Sequence, residues 1–400
     1  MAGQEFDLVV VGTGPGGYVA AIRGAQLGMS VAVIERENLG GICLNWGCIP
    51  TKALLRSAEV YHLAKTSNEY GFKVKDIEID IDAIVKRSRR VAKQLNSGVG
   101  LLLKKNKVDV LNGHGRLLGE GRIGVEVDGT QVMEVSAKYI ILAAGARARD
   151  LPTMEADGKQ IWNYRHALVA DVIPKRLLVV GSGAIGIEFA SFFNTLGSEV
   201  TVVELLDRVL PVEDEEISAM AHKAFEKQGM HILTDVQVKA LKKTKDSVTA
   251  AIKTADGKAE SIVVDRVIMA VGIIGNVEDL GLENTKVKVD RSHVEVDQWQ
   301  ATGEPGVFAI GDLAGPPWLA HKASHEGVIC VEKIAEVTDI HPLEKYGVSN
   351  SERDHSTSKP HRFHLFAHAD DPIPSIIHDY LNRFFHTVQY MQYIKIQPED

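Results

Sequence analysis

Cysteine is scarce in this chain, with three in 400 residues. That is too few for the disulfide scaffold of a small secreted protein. No apolar run reaches the roughly eighteen residues of a membrane-crossing helix, so no membrane span is expected. Positive charge is also short: 45 Lys and Arg stand against 53 Asp and Glu, a net charge of −8 that disfavours a general nucleic-acid binder. The first apolar strand pattern begins by Phe6, which leaves no room for a signal or transit peptide, and a cytoplasmic location is expected. What is present is ample core, with 45% hydrophobic and 24% charged residues, as in soluble globular proteins. The length suits about two or three domains. A basic run, Lys86, Arg87, Arg89, Arg90 and Lys93, sits opposite Ile84, Val85, Val91 and Leu95 on an expected helix. It reads first as a solvated face and second as a dock for an acidic partner.

Two of the three cysteines lie close together, in the string Gly40-Gly41-Ile42-Cys43-Leu44-Asn45-Trp46-Gly47-Cys48-Ile49-Pro50-Thr51-Lys52. The spacing matches neither zinc knuckles nor thioredoxin-like CxxC pairs. It permits a small disulfide ring, with Gly47 easing the bend and Pro50 suited to a helix start. Two buried free thiols are the alternative. The third cysteine, Cys330, falls in an apolar run and reads as a packed core thiol.

Compared with itself at an offset of 169 residues, the chain repeats. Leu8-Val9-Val10-Val11-Gly12-Thr13-Gly14-Pro15-Gly16-Gly17 answers Leu177-Leu178-Val179-Val180-Gly181-Ser182-Gly183-Ala184-Ile185-Gly186, and Val31–Glu35 answers Val200–Glu204. Each copy reads as buried strand, GxGxxG turn, helix, second strand and terminal acid. Gly12 and Gly181 make the tight turn, Gly14 and Gly183 let backbone approach a pyrophosphate, and Gly17 and Gly186 let helix pack on strand. The helix N-terminus faces the negative charge, and Glu35 or Glu204 accepts hydrogen bonds from ribose hydroxyls. A carboxylate at Glu204, followed by Leu205 and Leu206 rather than arginine, favours NAD over NADP.

The expected fold is therefore α/β, with two Rossmann-like dinucleotide-binding domains, one inserted in the other. The first domain's opening segment is expected over 1–150, the second domain over 151–274, a return to the first over 275–340, and an atypical tail over 341–400. Residues 151–175 read as a crossover, 214–228 as a helix, and 231–254 and 260–271 as sheet with a turn at Gly257. Val307–Asp312 reads as an apolar strand ending in Gly-Asp, whose acid can hold sugar-alcohol hydroxyls.

These residues together resemble the pyridine nucleotide–disulfide oxidoreductase family, from about Phe6 to Pro342. The most specific element is the 40–52 string. Ile141-Leu142-Ala143-Ala144-Gly145, Gly311-Asp312 and Trp318-Leu319-Ala320-His321-Lys322 support it. The resemblance implies FAD held by Gly12, Gly14, Gly17, Glu35, Gly40, Gly41, Lys52, Gly115, Ala143, Gly145, Asp312, Leu319, Ala320 and His321. It implies NAD held by Gly181, Gly183, Gly186, Glu188, Glu204, Val238 and Gly272, with Glu188 near the nicotinamide and paired to Lys52. Cys43 would exchange with a dithiol, Cys48 would lie against the flavin, and hydride would pass to NAD⁺. The implied activity is oxidation of protein-bound dihydrolipoamide, with the lipoyl domain of a 2-oxoacid dehydrogenase complex as partner. Another NAD(P)H-dependent disulfide reductase of the family is the nearest alternative.

After Pro342 the resemblance ends. Members of the family continue into an interface domain that builds a homodimer and supplies a His-Pro…Glu pair to the partner's disulfide. His341-Pro342-Leu343-Glu344 comes too early, with the wrong glutamate spacing, and is not assigned as that base. The tail instead concentrates histidine. His361, His364 and His368 lack cysteine partners, so no metal site is expected. Ile376, Ile377, Tyr380, Leu381, Phe384, Val388 and Met391 recur at helical spacing, suited to docking on protein. On this pattern a truncated flavoprotein, binding FAD and NAD but reducing only artificial acceptors or serving as a binding partner, is a further alternative.

Overall fold

The computed structural model describes residues 4–343. The histidines and apolar stripe of the tail, and Glu344, lie outside the described residues.

The chain begins with β1 (Gln4–Val11), α1 (Pro15–Gln26) and β2 (Val31–Glu35). Leu8, Val9, Val10, Ala32 and Val33 are fully buried, because a parallel strand has both faces covered and alternation is lost. Pro15 opens α1, where its missing N–H breaks no helical bond. Next come α2 (Gly41–Trp46), α3 (Cys48–Lys65) and α4 (Ile81–Lys105), the last capped by Asp80, whose side chain accepts from Ala83 N at 2.9 Å. The strands β3 (Asp109–Asn112), β4 (His114–Gly119), β5 (Arg122–Val127) and β6 (Thr130–Leu142) complete this pass. The sheet runs β3-β2-β1-β6-β5-β4. The first half of β6 pairs antiparallel with β5, and its C-terminal part pairs parallel with β1.

A second unit follows through β7 (Ala146–Ala148), β8 (Ile161–Trp162), α5 (Tyr164–Ala167), β9 (Arg176–Val180), α6 (Ala184–Thr195), β10 (Glu199–Val203), α7 (Glu215–Lys227) and β11 (His231–Leu233). The antiparallel meander β12 (Gln237–Lys243), β13 (Val248–Lys253) and β14 (Ala259–Val264) intervenes before β15 (Arg266–Met269) and β16 (Ile273–Gly275). Its parallel sheet runs β11-β10-β9-β15-β8. The chain then passes β17 (Val289–Asp290) and β18 (His293–Val294) and re-enters the first sheet with β19 (Val307–Ala309), where Val307 pairs with Ile140. It then forms α8 (Ala320–Ile334), which packs along α1.

The fold is thus α/β, with two Rossmann-like units and the second sheet built between β6 and β19 of the first. The parallel order β3-β2-β1-β6-β19 in one unit answers β11-β10-β9-β15-β8 in the other. In such sheets the crevice at the carboxyl ends of the central strands, where chain order reverses, is the ligand edge. Two details depart from the sequence reading. The 151–175 crossover contributes β8, a buried two-residue strand that closes the edge of the second sheet. Its start is fixed by Asp157, whose Oδ1 accepts from the backbone of Lys159, Gln160 and Ile161. The basic run on α4 is not a uniform solvated face. Arg87 Nη1 donates to Ala53 O at 2.7 Å and Arg89 Nη1 to Asn45 O at 2.5 Å, while Leu95 is 41% exposed. The apolar contacts of α4 run through Ala92, Val99 and Leu103 instead, which rotates two arginines inward.

Gly16 and Gly327 set the spacing of α1 and α8. A Cβ at Gly327 would stand 2.8 Å from Gly16 O and 3.1 Å from the Ala20 Cβ. Gly327→Leu is expected to destabilise the protein by about 1–3 kcal/mol through overpacking. Gly98→Ala, where an added Cβ meets nothing within 4 Å inside α4, should stabilise it by up to about 1 kcal/mol. Urea unfolding of the two variants checks the pair, and equal midpoints would contradict this packing.

Candidate functional site

The two glycine loops are built alike down to single hydrogen bonds. Gly12, at φ +100°, lies so close to Ala143 O that a side chain would strike it, and Gly17 lies equally close to Gly12 O. In the second copy Gly181 faces Ala270 O and Gly186 faces Gly181 O. The terminal acids follow suit. Glu35 Oε2 accepts from Thr13 N at 3.0 Å and Thr13 Oγ1 at 2.6 Å, and its Oε1 accepts from Glu37 N at 2.8 Å. Glu204 Oε2 accepts from Ser182 N at 2.8 Å and Ser182 Oγ at 2.7 Å, and its Oε1 accepts from Leu206 N at 3.0 Å. Thr13 and Ser182 escaped the sequence reading, though a hydroxyl at the same place in both repeats was the available signal.

These surroundings fit a dinucleotide in each unit. Gly14 and Gly183 are the N-caps of α1 and α6 and supply no capping side chain. An added Cβ at either would meet nothing within 4 Å, so the first-turn N–H groups front open space suited to phosphate. Gly41 packs its Cα region onto Gly14, at 2.6 Å for a notional Cβ, which seats α2 against the first loop. Gly40 caps α2 in the left-handed region, and Gly115 lies on β4 against Val11 and Ile34. Ala143 N donates to Val11 O, and Gly145 and Gly272 hold positive φ just beyond β6 and β15. Val238 belongs to the meander core, so its side chain is committed to packing.

The far wall of the first site comes from the returning segment. Burial raises the Asp312 carboxyl above its ordinary range, against the pull of the Lys322 ammonium. Lys322 is 2% exposed and donates to Gly315 O at 2.9 Å. It pairs with Glu326 at 3.0 Å, and Glu326 Oε2 in turn accepts from Gly311 N at 2.7 Å. This buried pair, which the sequence reading passed over, fixes the Gly311-Asp312 turn. Leu319 caps α8 and is exposed, Ala320 begins it, and burial lowers the His321 imidazole below its ordinary basicity, with His325 adding to the effect. Cys330 is fully buried, and burial raises its thiol far above the usual range, as expected of a packed thiol.

Cys43 and Cys48 form a disulfide. Cys43 lies in the first turn of α2, and Cys48 is the first residue of α3, which has no acid in its first turn. The α3 N-terminus favours a thiolate on Cys48. Asn45, 4% exposed, pins the turn by donating to Leu39 O and Gly41 O, and Thr51 Oγ1 donates to Gly47 O. One helical turn past Cys48, Lys52 Nζ donates to Glu188 Oε1 at 2.8 Å, joining α3 to α6 of the second unit. Among the described residues no cluster of His, Cys, Asp and Glu could hold a metal ion, and no helix is long and apolar enough to cross a membrane.

Two dinucleotide loops and a disulfide at the head of α3 define a nucleotide-linked disulfide oxidoreductase. The profile of the pyridine nucleotide-disulphide oxidoreductase family matches residues 6–327, and the chain belongs to that family. It is 51% identical over 357 residues to a dihydrolipoyl dehydrogenase of Rhizobium etli, covering 86% of this chain and 74% of that protein. It is 52% identical over 340 residues to the dihydrolipoyl dehydrogenase of Zymomonas mobilis, covering 85% and 73%. Among solved structures, LpdA from Mycobacterium tuberculosis superposes with a TM-score of 0.78 at 28% identity, covering 85% of this chain and 74% of that one.

The Ser182 hydroxyl is expected to hold Glu204 ready for a ribose. A lost hydrogen bond to a charged group costs about 1.5–3 kcal/mol. The Ser182–Glu204 bond is present before NADH binds, so only misplacement of Glu204 reaches affinity, and Ser182→Ala should weaken NADH binding by up to about tenfold, about 1.4 kcal/mol, in a fluorescence titration. Unchanged affinity would refute the role.

Proposed function

We propose that this chain is a dihydrolipoyl dehydrogenase, oxidising protein-bound dihydrolipoamide with NAD⁺ through FAD and the Cys43–Cys48 disulfide. The observation that carries this reading is the disulfide at the N-terminus of α3, seated on the first glycine loop through Gly41 and tied to the second unit through Lys52 and Glu188. The likeness to dihydrolipoyl dehydrogenases at 51% and 52% identity supports it. Bound FAD and NAD⁺ would supply the two-electron acceptors.

The two cysteines account for the disulfide exchange. A substrate thiolate attacks the Cys43 sulfur, the S–S bond to Cys48 breaks, and Cys48 leaves as a thiolate favoured by the α3 N-terminus. The second substrate thiolate attacks the mixed disulfide and expels the Cys43 thiolate, so substrate leaves as a cyclic disulfide. Both substrate protons pass to water and two electrons stay on the cysteines, which return to the disulfide when those electrons pass on to NAD⁺. Cys43 is assigned to exchange because it matches the interchange thiol of the family motif.

The first unit, with Gly12, Gly14, Gly17, Glu35, Gly41, Gly115, Ala143 and Asp312, would hold FAD. The second, with Gly181, Gly183, Gly186, Glu204 and Gly272, would hold NAD. Glu204 is 7% exposed and already accepts three hydrogen bonds, so a 2′-phosphate brought beside it would meet an anion that water screens poorly. The partner implied by the substrate is a lipoyl domain of a 2-oxoacid dehydrogenase complex. A catalytic disulfide in a chain whose remaining described cysteine, Cys330, is a free buried thiol suits a reducing compartment, which supports a cytoplasmic location.

Purified protein is expected to carry flavin absorbance, to be reduced by NADH in preference to NADPH, and to show a long-wavelength thiolate–flavin band on partial reduction. Cys48→Ser should abolish that band and dihydrolipoamide turnover while sparing NADH-driven reduction of artificial acceptors. A colourless protein that rebinds no FAD would overturn the reading.

A further inference from the structure

Trp46, between the two cysteines, is the meeting point of three charged side chains from three other segments. The Arg89 guanidinium, from α4, lies 4.3 Å from the indole centroid, and that of Arg165, from α5, lies 4.9 Å from it. The indole Nε1 donates to Glu37 Oε1 at 2.8 Å. Glu37, just past β2, also receives a bidentate pair from Arg165, at 2.8 and 2.9 Å. Arg89 is fastened to the same turn through Asn45 O. Two cations are thus gathered around one indole with one carboxylate between them. The arrangement is not electrostatically free. Burial, and then the nearby charge of Arg165, hold the Arg89 guanidinium below its ordinary basicity. Cation–π contact and the bidentate Glu37 pair offset that cost.

The duplicated unit supplies an internal control. Glu37 and Leu206 occupy the same place in the two repeats, and each donates its backbone N–H to the acid of its own unit. Only the first copy has a carboxylate there. Leu206 is 51% exposed and apolar. The carboxylate therefore goes with the copy that carries the disulfide and is not needed to hold the ribose acid. Arg165 sits beside β8, in the second sheet, so the contact crosses the seam between units. Trp46 precedes Gly47, the N-cap of α3, where a side chain would crowd Ile42 O at 3.1 Å and the Cys43 Cα at 3.3 Å. A shift of the indole is consequently passed to the backbone joining the two sulfurs. With Lys52–Glu188 on the other side of Cys48, the redox turn is held to the second unit at two points.

We propose that Trp46, gripped by Arg89, Arg165 and Glu37, is a positioning residue that fixes the Cys43–Cys48 turn relative to the second nucleotide-binding unit. The proposal rests on reading Cys43–Cys48 as the redox pair. Its test uses the holoenzyme and the variants Trp46→Ala, Trp46→Phe and Arg165→Gln. Arg165→Gln alters a half-exposed side chain and serves where Trp46→Ala folds poorly. The readouts are the long-wavelength thiolate–flavin absorbance per bound flavin, dihydrolipoamide kcat, KM for NADH and flavin content. Trp46→Ala and Arg165→Gln are expected to keep flavin and KM for NADH while losing most of the band and about tenfold or more in kcat, as small misplacements do. Trp46→Phe, which keeps an aromatic face, should recover most of both. Wild-type band and kcat per bound flavin in Arg165→Gln, or loss of stability alone in Trp46→Ala, would overturn the proposal. Absence of the band in the wild-type holoenzyme would overturn the redox reading itself and is told apart by that control.

Discussion

The 2.8 Å bond between Lys52 Nζ and Glu188 Oε1 joins two helices that begin at chemically different places. One starts at Cys48 and the other at the second glycine loop. Both side chains are partly exposed, 37% and 26%, and an ion pair so placed contributes on the order of 1 kcal/mol or less to stability. Its importance is geometric. It sits where the disulfide helix of the first unit packs on the loop helix of the second, and α3 against α6 is a helix contact that spans the seam. A two-electron path from a dithiol to a nicotinamide would run across both units, so their mutual placement bears on it. The pair and the packing beneath it set that placement on this side of the disulfide.

Each unit depends on a more local constraint, the absence of side chains at two glycines. Backbone approaches at Gly12 and Gly17, and at Gly181 and Gly186, leave no room for a Cβ. They draw each loop helix down onto the carboxyl end of its central strand, which brings the unfilled N–H groups to the ligand edge. The repeat extends from this backbone to the side chains: Thr13–Glu35 and Ser182–Glu204 make the same pair of bonds. Beyond the acid the two copies take different surroundings, as Glu37 and Leu206 show. There the first copy turns toward the disulfide and the second toward solvent.

Much of this was legible in the sequence because its determinants are local. Glycine spacing, apolar strand runs and the terminal acids lie within one βαβ unit, and a second copy of the pattern made it hard to mistake. The helix expected over 214–228 appears as Glu215–Lys227, capped by Asp214. The readings that went astray concern side chains whose partners are distant. Arg87 and Arg89 read as surface charge because periodicity reports apolar residues and gives no sign that Ala53 O and Asn45 O lie within reach. Lys322 and Glu326 stood four residues apart in plain view. Such a spacing usually marks an exposed helix pair, whereas these two are almost wholly buried beneath the Gly311 turn.

That buried pair completes the physical case for the first site. Sequestering a lysine and a glutamate is costly unless their remaining hydrogen-bonding capacity is used. Here Lys322 also reaches the carbonyls of Gly311 and Gly315, and Glu326 takes the Gly311 N–H. The charges are therefore spent on holding one turn rather than on stabilising the domain at large. What the turn presents is Asp312, whose carboxyl burial pushes up and Lys322 pulls back. A carboxyl at that turn is suited to accept hydrogen bonds from hydroxyl groups. Glu204 is likewise satisfied by neutral donors, from Ser182 and Leu206. In both units the acid's setting is fixed by neutral or oppositely charged groups of its own unit: Ser182 and Leu206 for Glu204, Lys322 for Asp312.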